Sequence, residues 1–148
     1  MAKYYQGLFQ PKNPAKYKGD VNNIIYRSGY EARVMNYLDS HPDVLQWSSE
    51  ELAIPYLSPI DNKIHRYFVD FVVKMKTKDG NIETWLLEVK PAKQTKPPAV
   101  KSGKPTAKYI KEVFTWGVNE AKWRAAERYC AKNGYKFKWI TEKEIGIE

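Results

Sequence analysis

The sequence predicts an α/β (α+β) domain in which helices pack on a sheet of about four strands, and three observations carry that prediction. Two apolar runs, 66–76 and 81–89, are joined by Lys78-Asp79-Gly80-Asn81, a strong hairpin signal. Helical periodicity precedes them over 28–40 and returns over 106–132. Tyr135 to Ile140 then alternates like a strand with one wet face. The order helix, three strands, helix, strand layers helices on a sheet, and 148 residues suffice for one core but are few for two.

Residues 1–22 contain Pro11, Pro14 and Gly19 without sustained periodicity, so they read as an extended basic arm, with 23–148 as the single domain. Ser28 can cap a helix with Glu31 three residues later, and His41-Pro42 stops it near Ser40. Val34, Met35 and Leu38 stand at helical spacing from Glu31, which puts a carboxylate at the edge of the inward face. Glu normally sits exposed. Glu51 to Tyr56, with Pro55 and Pro59 nearby, suits an edge strand. Residues 66–76 read as one strand, apolar on both sides of its centre, and 81–89 read as the next. Four prolines and Gly103 make 91–105 a loop, long enough to be functional or mobile. In the second helical segment Ile110, Val113, Phe114, Val118 and Ala121 form an apolar stripe, Gly117 is a point where the helix can divide, and Asn133-Gly134 is a stop signal. Thr141 to Glu144 has the pattern of a capping box opening a last short helix.

Composition narrows the function. No apolar stretch approaches the roughly 20 residues of a membrane span, and the N-terminal residues lack a signal-peptide core. The single cysteine, Cys130, excludes an intrachain disulfide and a cysteine-rich zinc site, which fits a reducing, cytoplasmic setting. With His41 at a helix end and His65 before a strand, a histidine zinc site is not expected either. The net charge of +8 favours a polyanionic partner. Its distribution sharpens that: 90–111 holds seven lysines and no acid, and clustered cations of this kind favour phosphate contacts over a merely solvated linker. Lys93, Lys96, Lys101, Lys104 and Lys108 are therefore DNA-contact candidates, with Arg27 and Arg33 beside Glu31. Either arginine can instead pair with Glu31. Trp116, Trp123 and Trp139 fit core packing better than base stacking.

The chemistry lies in two strands. Asp70 sits between Val69 and Phe71, and Glu88 between Leu87 and Val89; a charge among apolar neighbours is costly unless something offsets it. Glu88 and Lys90, two apart, project to one face. If the two strands pair through the 78–81 turn, Asp70 can lie across from the Glu88 region, although the turn leaves the register open by a residue or two. Two carboxylates together in a partly buried site repel, and a cation such as Mg²⁺ relieves this with hard oxygen ligands. Asp70 and Glu88 then act as metal ligands, Glu31 as a further one, and Lys90 as the charge that orients water or stabilises the transition state. An ion pair of Asp70 with Lys90 is the plain alternative, but it leaves Glu88 and Glu31 unmatched.

Asp70 with Glu88-Val-Lys90 resembles the core motif of the PD-(D/E)xK nucleases, and Tyr26-Arg-Ser-Gly-Tyr-Glu31 resembles the acid-bearing helix of phage junction resolvases and of the transposon-end endonuclease subunit. The whole chain, including Asn13-Pro-Ala-Lys-Tyr17 and Ile25-Tyr-Arg-Ser28, is similar to the small head completion nucleases of T-even-type phages. It departs from the motif at Val69, where proline would precede the Asp. The resemblance implies a restriction-endonuclease-like core with a central mixed sheet, and a Mg²⁺-dependent endonuclease (Mn²⁺ substituting) that processes packaged DNA ends. Its catalytic residues would be Glu31, Asp70, Glu88 and Lys90. It also implies capsid, portal or neck proteins as partners, residence in the host cytoplasm or the virion, no membrane, and room for a homodimer. A junction resolvase or transposase-type nuclease keeps the chemistry and changes the substrate. A basic, non-enzymatic DNA-binding protein that seals a filled head is the alternative of another class.

Overall fold

The structure, a computed structural model, describes residues 6–99 and 103–143. The N-terminal part contains β1 (Gly7–Leu8), a 3-10 turn at Pro14–Lys16, β2 (Ile25–Tyr26), α1 (Gly29–Ser40) and β3 (Val44–Ser49). Then follow β4 (Ala53–Leu57), β5 (Ile64–Phe68), β6 (Phe71–Lys76) and β7 (Ile82–Val89). A 3-10 turn at Ala92–Thr95, α2 (Ala107–Asn133) and β8 (Lys136–Ile140) complete the described elements.

The central sheet has four strands in the order β3-β6-β7-β8, and it is mixed as expected: β3–β6 and β6–β7 are antiparallel, β7–β8 parallel. Successive residues of a strand face opposite sides, so Leu87 and Leu86 enter two different cores. On one side Leu87, Phe71 and Val73 meet Val34, Met35 and Leu38 of α1. On the other, Leu86 and Val69 meet Ala125, Ala126 and Cys130 of α2 and Ile54, Tyr56 and Tyr67 of the β4–β5 hairpin. Burial pushes the Cys130 thiol up to about 11, as suits a packed residue.

Helix α1 begins as its sequence indicates. Ser28 Oγ accepts the Glu31 N–H at 3.0 Å, and Glu31 Oε1 accepts the Arg27 N–H at 3.1 Å, a near-reciprocal cap. His41 closes the other end, its N–H donating to the Tyr37 carbonyl. The turn after β6 closes through Thr77 and Asn81, with Gly80 at φ 83°, in the left-handed region that favours glycine.

Four expectations are corrected. Val44–Ser49 is a strand; a register shift between Val44 and Gln46 breaks its alternation and hides it. The single strand expected over 66–76 is two: β5 pairs with β4, and the chain changes sheets at Val69–Asp70 before β6 joins the central sheet. Gly117 does not divide α2, which runs unbroken to a C-cap at Gly134 (φ 71°). The stripe on α2 is only half used: Val118 and Ala121 pack on the core, while Ile110, Val113 and Phe114 are exposed. α2 packs chiefly on β4 and β8, and its first turns, 107–115, stay largely exposed.

The arm lies against the domain over its described residues 6–22. β1 pairs with β2, and Tyr17 is buried edge-on against Trp47. Asp39, buried near the end of α1, accepts the backbone N–H groups of Lys12 and Asn13. Lys16 Nζ donates to the Asp39 and His41 carbonyls, which a helix C-terminus leaves without intrahelical donors. The last short helix expected at 141–144 extends into residues outside those described. Asp39→Ala leaves two amides without their acceptor and is expected to cost about 2 kcal/mol in urea unfolding. Hydrogen exchange at Lys12 and Asn13 should accelerate while β6 stays protected; unchanged exchange there would contradict the clamp.

Candidate active site

The sheet change at Val69–Asp70 creates the site. Val69 still donates its N–H to the Leu52 carbonyl on the hairpin side, at 3.0 Å, while the Asp70 carbonyl accepts the Glu50 N–H at 3.2 Å. Phe71 then pairs with Leu87, which fixes the register that the turn left open and sets Asp70 beside Glu88. The link is direct: Asp70 Oδ2 accepts the Val89 N–H at 2.8 Å.

Glu88 is buried within β7, on the strand flanked by β6 and β8, with Trp139 as its partner across the parallel pairing. Its Oε2 accepts a hydrogen bond from the Tyr67 hydroxyl, and its Oε1 lies 3.6 Å from Lys90 Nζ. Lys90 thus pairs with Glu88 rather than with Asp70. The Lys90 N–H donates to the Ile140 carbonyl at 3.0 Å, so the β7–β8 pairing also holds the lysine backbone.

The electrostatics are those of like charges confined together. Burial, then the Glu88 charge, hold the Asp70 carboxyl well above the usual carboxylate range, with the Val89 N–H opposing them. Burial also raises Glu88, offset by the Tyr67 hydroxyl, Lys90 and Lys122. Burial raises Glu31 at the N-terminus of α1, and the Arg27 N–H opposes it. Glu31 is close enough to add to the rise at Asp70. The three expected acids therefore share one electrostatic neighbourhood. Among the described residues they do not close into a ready cage of three or more metal-ligating side chains. Two repelling carboxylates beside a lysine still fit a hard divalent cation, which commonly takes one or two carboxylates and completes its shell with water and phosphate.

The remaining expected residues are placed less uniformly. Arg27 is exposed and ion-paired with Glu50, so its carboxylate partner is not the Glu31 side chain. Arg33 is exposed on α1, its guanidinium 5.6 Å from the Tyr30 ring centre. Lys96, Lys104 and Lys108 are exposed; Lys93 belongs to the 3-10 turn Ala92–Thr95, and Lys101 lies outside the described residues. His65 pairs with Asp61 away from the carboxylates, and Trp123 is buried with its ring centre 4.0 Å from that of Trp139.

Three residues escape the reading of the sequence. Tyr67 holds Glu88. Lys122 on α2 lies with Nζ 5.7 Å from the Tyr67 ring centre and 5.8 Å from that of Tyr56, and its charge stabilises ionised Glu88. It follows Val118 by four residues on the apolar stripe, a charge on a packed face, which is the signal that singles out Glu31. Glu50 binds Arg27 and has a φ of 53°, strained for a residue with a side chain. No local pattern marks Tyr67 or Glu50.

This combination of sheet, carboxylates and lysine is that of an endonuclease domain. Residues 41–142 match the family described as TnsA-like endonuclease N terminal, and the chain belongs to that family. The match includes Asp70, Glu88, Lys90 and Lys122, and it begins just after α1. The chain is also 38% identical over 141 residues to the head completion nuclease of Enterobacteria phage T4, covering 93% of this chain and 91% of that protein.

The pH dependence of stability follows in sign. Carboxyls whose values are higher folded than unfolded oppose folding once ionised. In EDTA, this pair should therefore lower stability as pH rises from about 4 through the elevated Asp70 range. Asp70→Asn keeps the acceptor for Val89 and removes the repulsion. It should be more stable than wild type near pH 7, with the gap closing near pH 4. Urea unfolding across that range tests this, and a wild-type advantage at neutral pH would contradict it.

Proposed function

We propose that this protein is a Mg²⁺-dependent endodeoxyribonuclease that hydrolyses phosphodiester bonds and processes packaged DNA ends as phage heads are completed. The observation that carries the reading is the Asp70–Glu88 pair, held together against its own repulsion with Lys90 alongside. Family membership makes the chain an endonuclease. The name of the T4 relative supports the setting in head completion, and with it a place in the host cytoplasm and virion beside capsid, portal or neck proteins.

Asp70 and Glu88 would hold the ion, with Glu31 reaching it directly or through water; Mn²⁺ would substitute. Bound there, a divalent ion polarises the scissile phosphate and makes a water more acidic. The residues supply the rest. The Val89 N–H and the Tyr67 hydroxyl each occupy one oxygen of Asp70 and Glu88, respectively, fixing both carboxylates before substrate arrives. Lys90, half-buried at the end of β7, offers a compact positive charge to the negative charge that grows on the phosphate. Arg33, Lys96, Lys104 and Lys108 contact backbone phosphates, as does Arg27 once it leaves Glu50.

Purified protein is expected to nick plasmid DNA with Mg²⁺ or Mn²⁺ and not with EDTA. Asp70→Ala and Lys90→Ala should each lower the rate about 10²–10³-fold while DNA binding in EDTA persists. Absence of cleavage with every divalent metal by a folded wild-type protein would refute the proposal. Lys96→Ala with Lys108→Ala should instead weaken binding and flatten its dependence on salt.

A further inference from the structure

The stripe of α2 that packs inward runs Asn119, Trp123, Ala126 and Cys130, and its first position is polar. Asn119 is only 8% exposed, and no hydrogen bond ties its side-chain amide to another described residue. The amide is not one of the sealed, unsatisfied polar atoms of the core, so it stays open to a partner arriving from solvent. Asn119 lines a surface cavity of about 510 Å³ between α2 and the Pro59–Ile60 turn. Its other walls include Ile60, Phe114, Val118 and Lys122. Phe114 is 57% and Ile60 55% exposed, apolar surface that no described part of the chain covers. Lys122 ties the cavity to the chemistry: one face of its environment is the cavity, the other the Tyr67 ring whose hydroxyl holds Glu88.

We infer that this cavity holds an unpaired nucleotide of the DNA substrate: the base stacks on Phe114, its edge bonds the Asn119 amide, and a phosphate meets Lys122. The inference rests on the nuclease reading for its choice of DNA. Each feature answers one part of a nucleotide. An aromatic side chain accepts any base face, an asparagine amide offers a paired donor and acceptor to a base edge, and an ammonium takes the phosphate. A partner protein would use the apolar walls but not explain the amide and the ammonium beside them. A base inside a duplex could not reach the amide, so the nucleotide must come from a frayed end, a tail or a junction.

The test is binding in EDTA, where no cleavage occurs. The probes are a blunt duplex and the same duplex with a short single-stranded tail carrying 2-aminopurine. Wild type should bind the tailed duplex about tenfold more tightly and quench the 2-aminopurine. Asn119→Ala and Phe114→Ala should bring the tailed duplex to the level of the blunt one and abolish the quenching. Asn119→Leu, which keeps a similar volume without the amide, should lose the tail preference as well. Equal binding of both probes by wild type, or a tail preference that survives in the Asn119 and Phe114 variants, would each overturn the inference. So would a Phe114→Ala variant that loses only self-association. Failure of the nuclease reading shows separately, as absence of plasmid cleavage with any metal.

Discussion

The change of sheet at Val69–Asp70 is the constraint on which the candidate active site depends. Up to Phe68 the chain answers to the β4–β5 hairpin; from Phe71 it answers to the central sheet. Asp70 stands in the gap, outside both ladders, so its side chain is placed by the crossing rather than by strand alternation. Its backbone is held by Glu50 on one side and its carboxylate by Val89 on the other. The strained Glu50 backbone lies at the same crossing. Non-glycine residues persist in that region only where surrounding structure over-determines them, and functional sites are where they gather.

What the crossing brings together is electrostatically unfavourable. Two carboxylates raised by burial, with a third at the tip of α1, would be an error in a protein built only to be stable. The surrounding groups do not neutralise the site. Tyr67, Lys90 and Lys122 act on Glu88, and the Val89 amide and Lys90 act on Asp70, yet both carboxyls stay above their ordinary range. Lys96, Lys104, Lys108 and Lys111 are exposed on the segment that follows β7. An acidic centre and a basic surround therefore occupy separate places on one small domain.

Much of this was legible in the sequence, and the failures have physical causes. Helix α1 was readable because Ser28, Glu31 and His41 act locally on their own backbone. Asp70 and Glu88 were conspicuous because apolar neighbours made their charges expensive. The sheet change was hidden because a run rich in Tyr, Phe and Val favours strand on both sides of the crossing, and the choice of partner is tertiary. β3 was hidden by its register shift. The exposure of the first turns of α2 was hidden because periodicity reports which face of a helix is apolar, not where along it the packing begins. Tyr67 looked like an ordinary core aromatic, since nothing local tells a hydroxyl aimed at a carboxylate from one aimed at water.

The parallel pairing of β8 with β7 has a consequence for the order in which the site is assembled. Glu88 pairs across to Trp139, and Lys90 is anchored on Ile140, so the strand bearing the Glu-x-Lys pair has its outer neighbour supplied by the last described stretch of chain. The hairpin of β6 and β7 can form as soon as it leaves the ribosome, because its contacts are local. The outer strand cannot form until α2 has been made and has crossed over the sheet. A nascent chain that already carries Asp70, Glu88 and Lys90 therefore lacks both Lys122 and the strand that steadies the lysine. Synthesis thus lays down the acids and the lysine first and completes their setting only after α2 and β8 have been made.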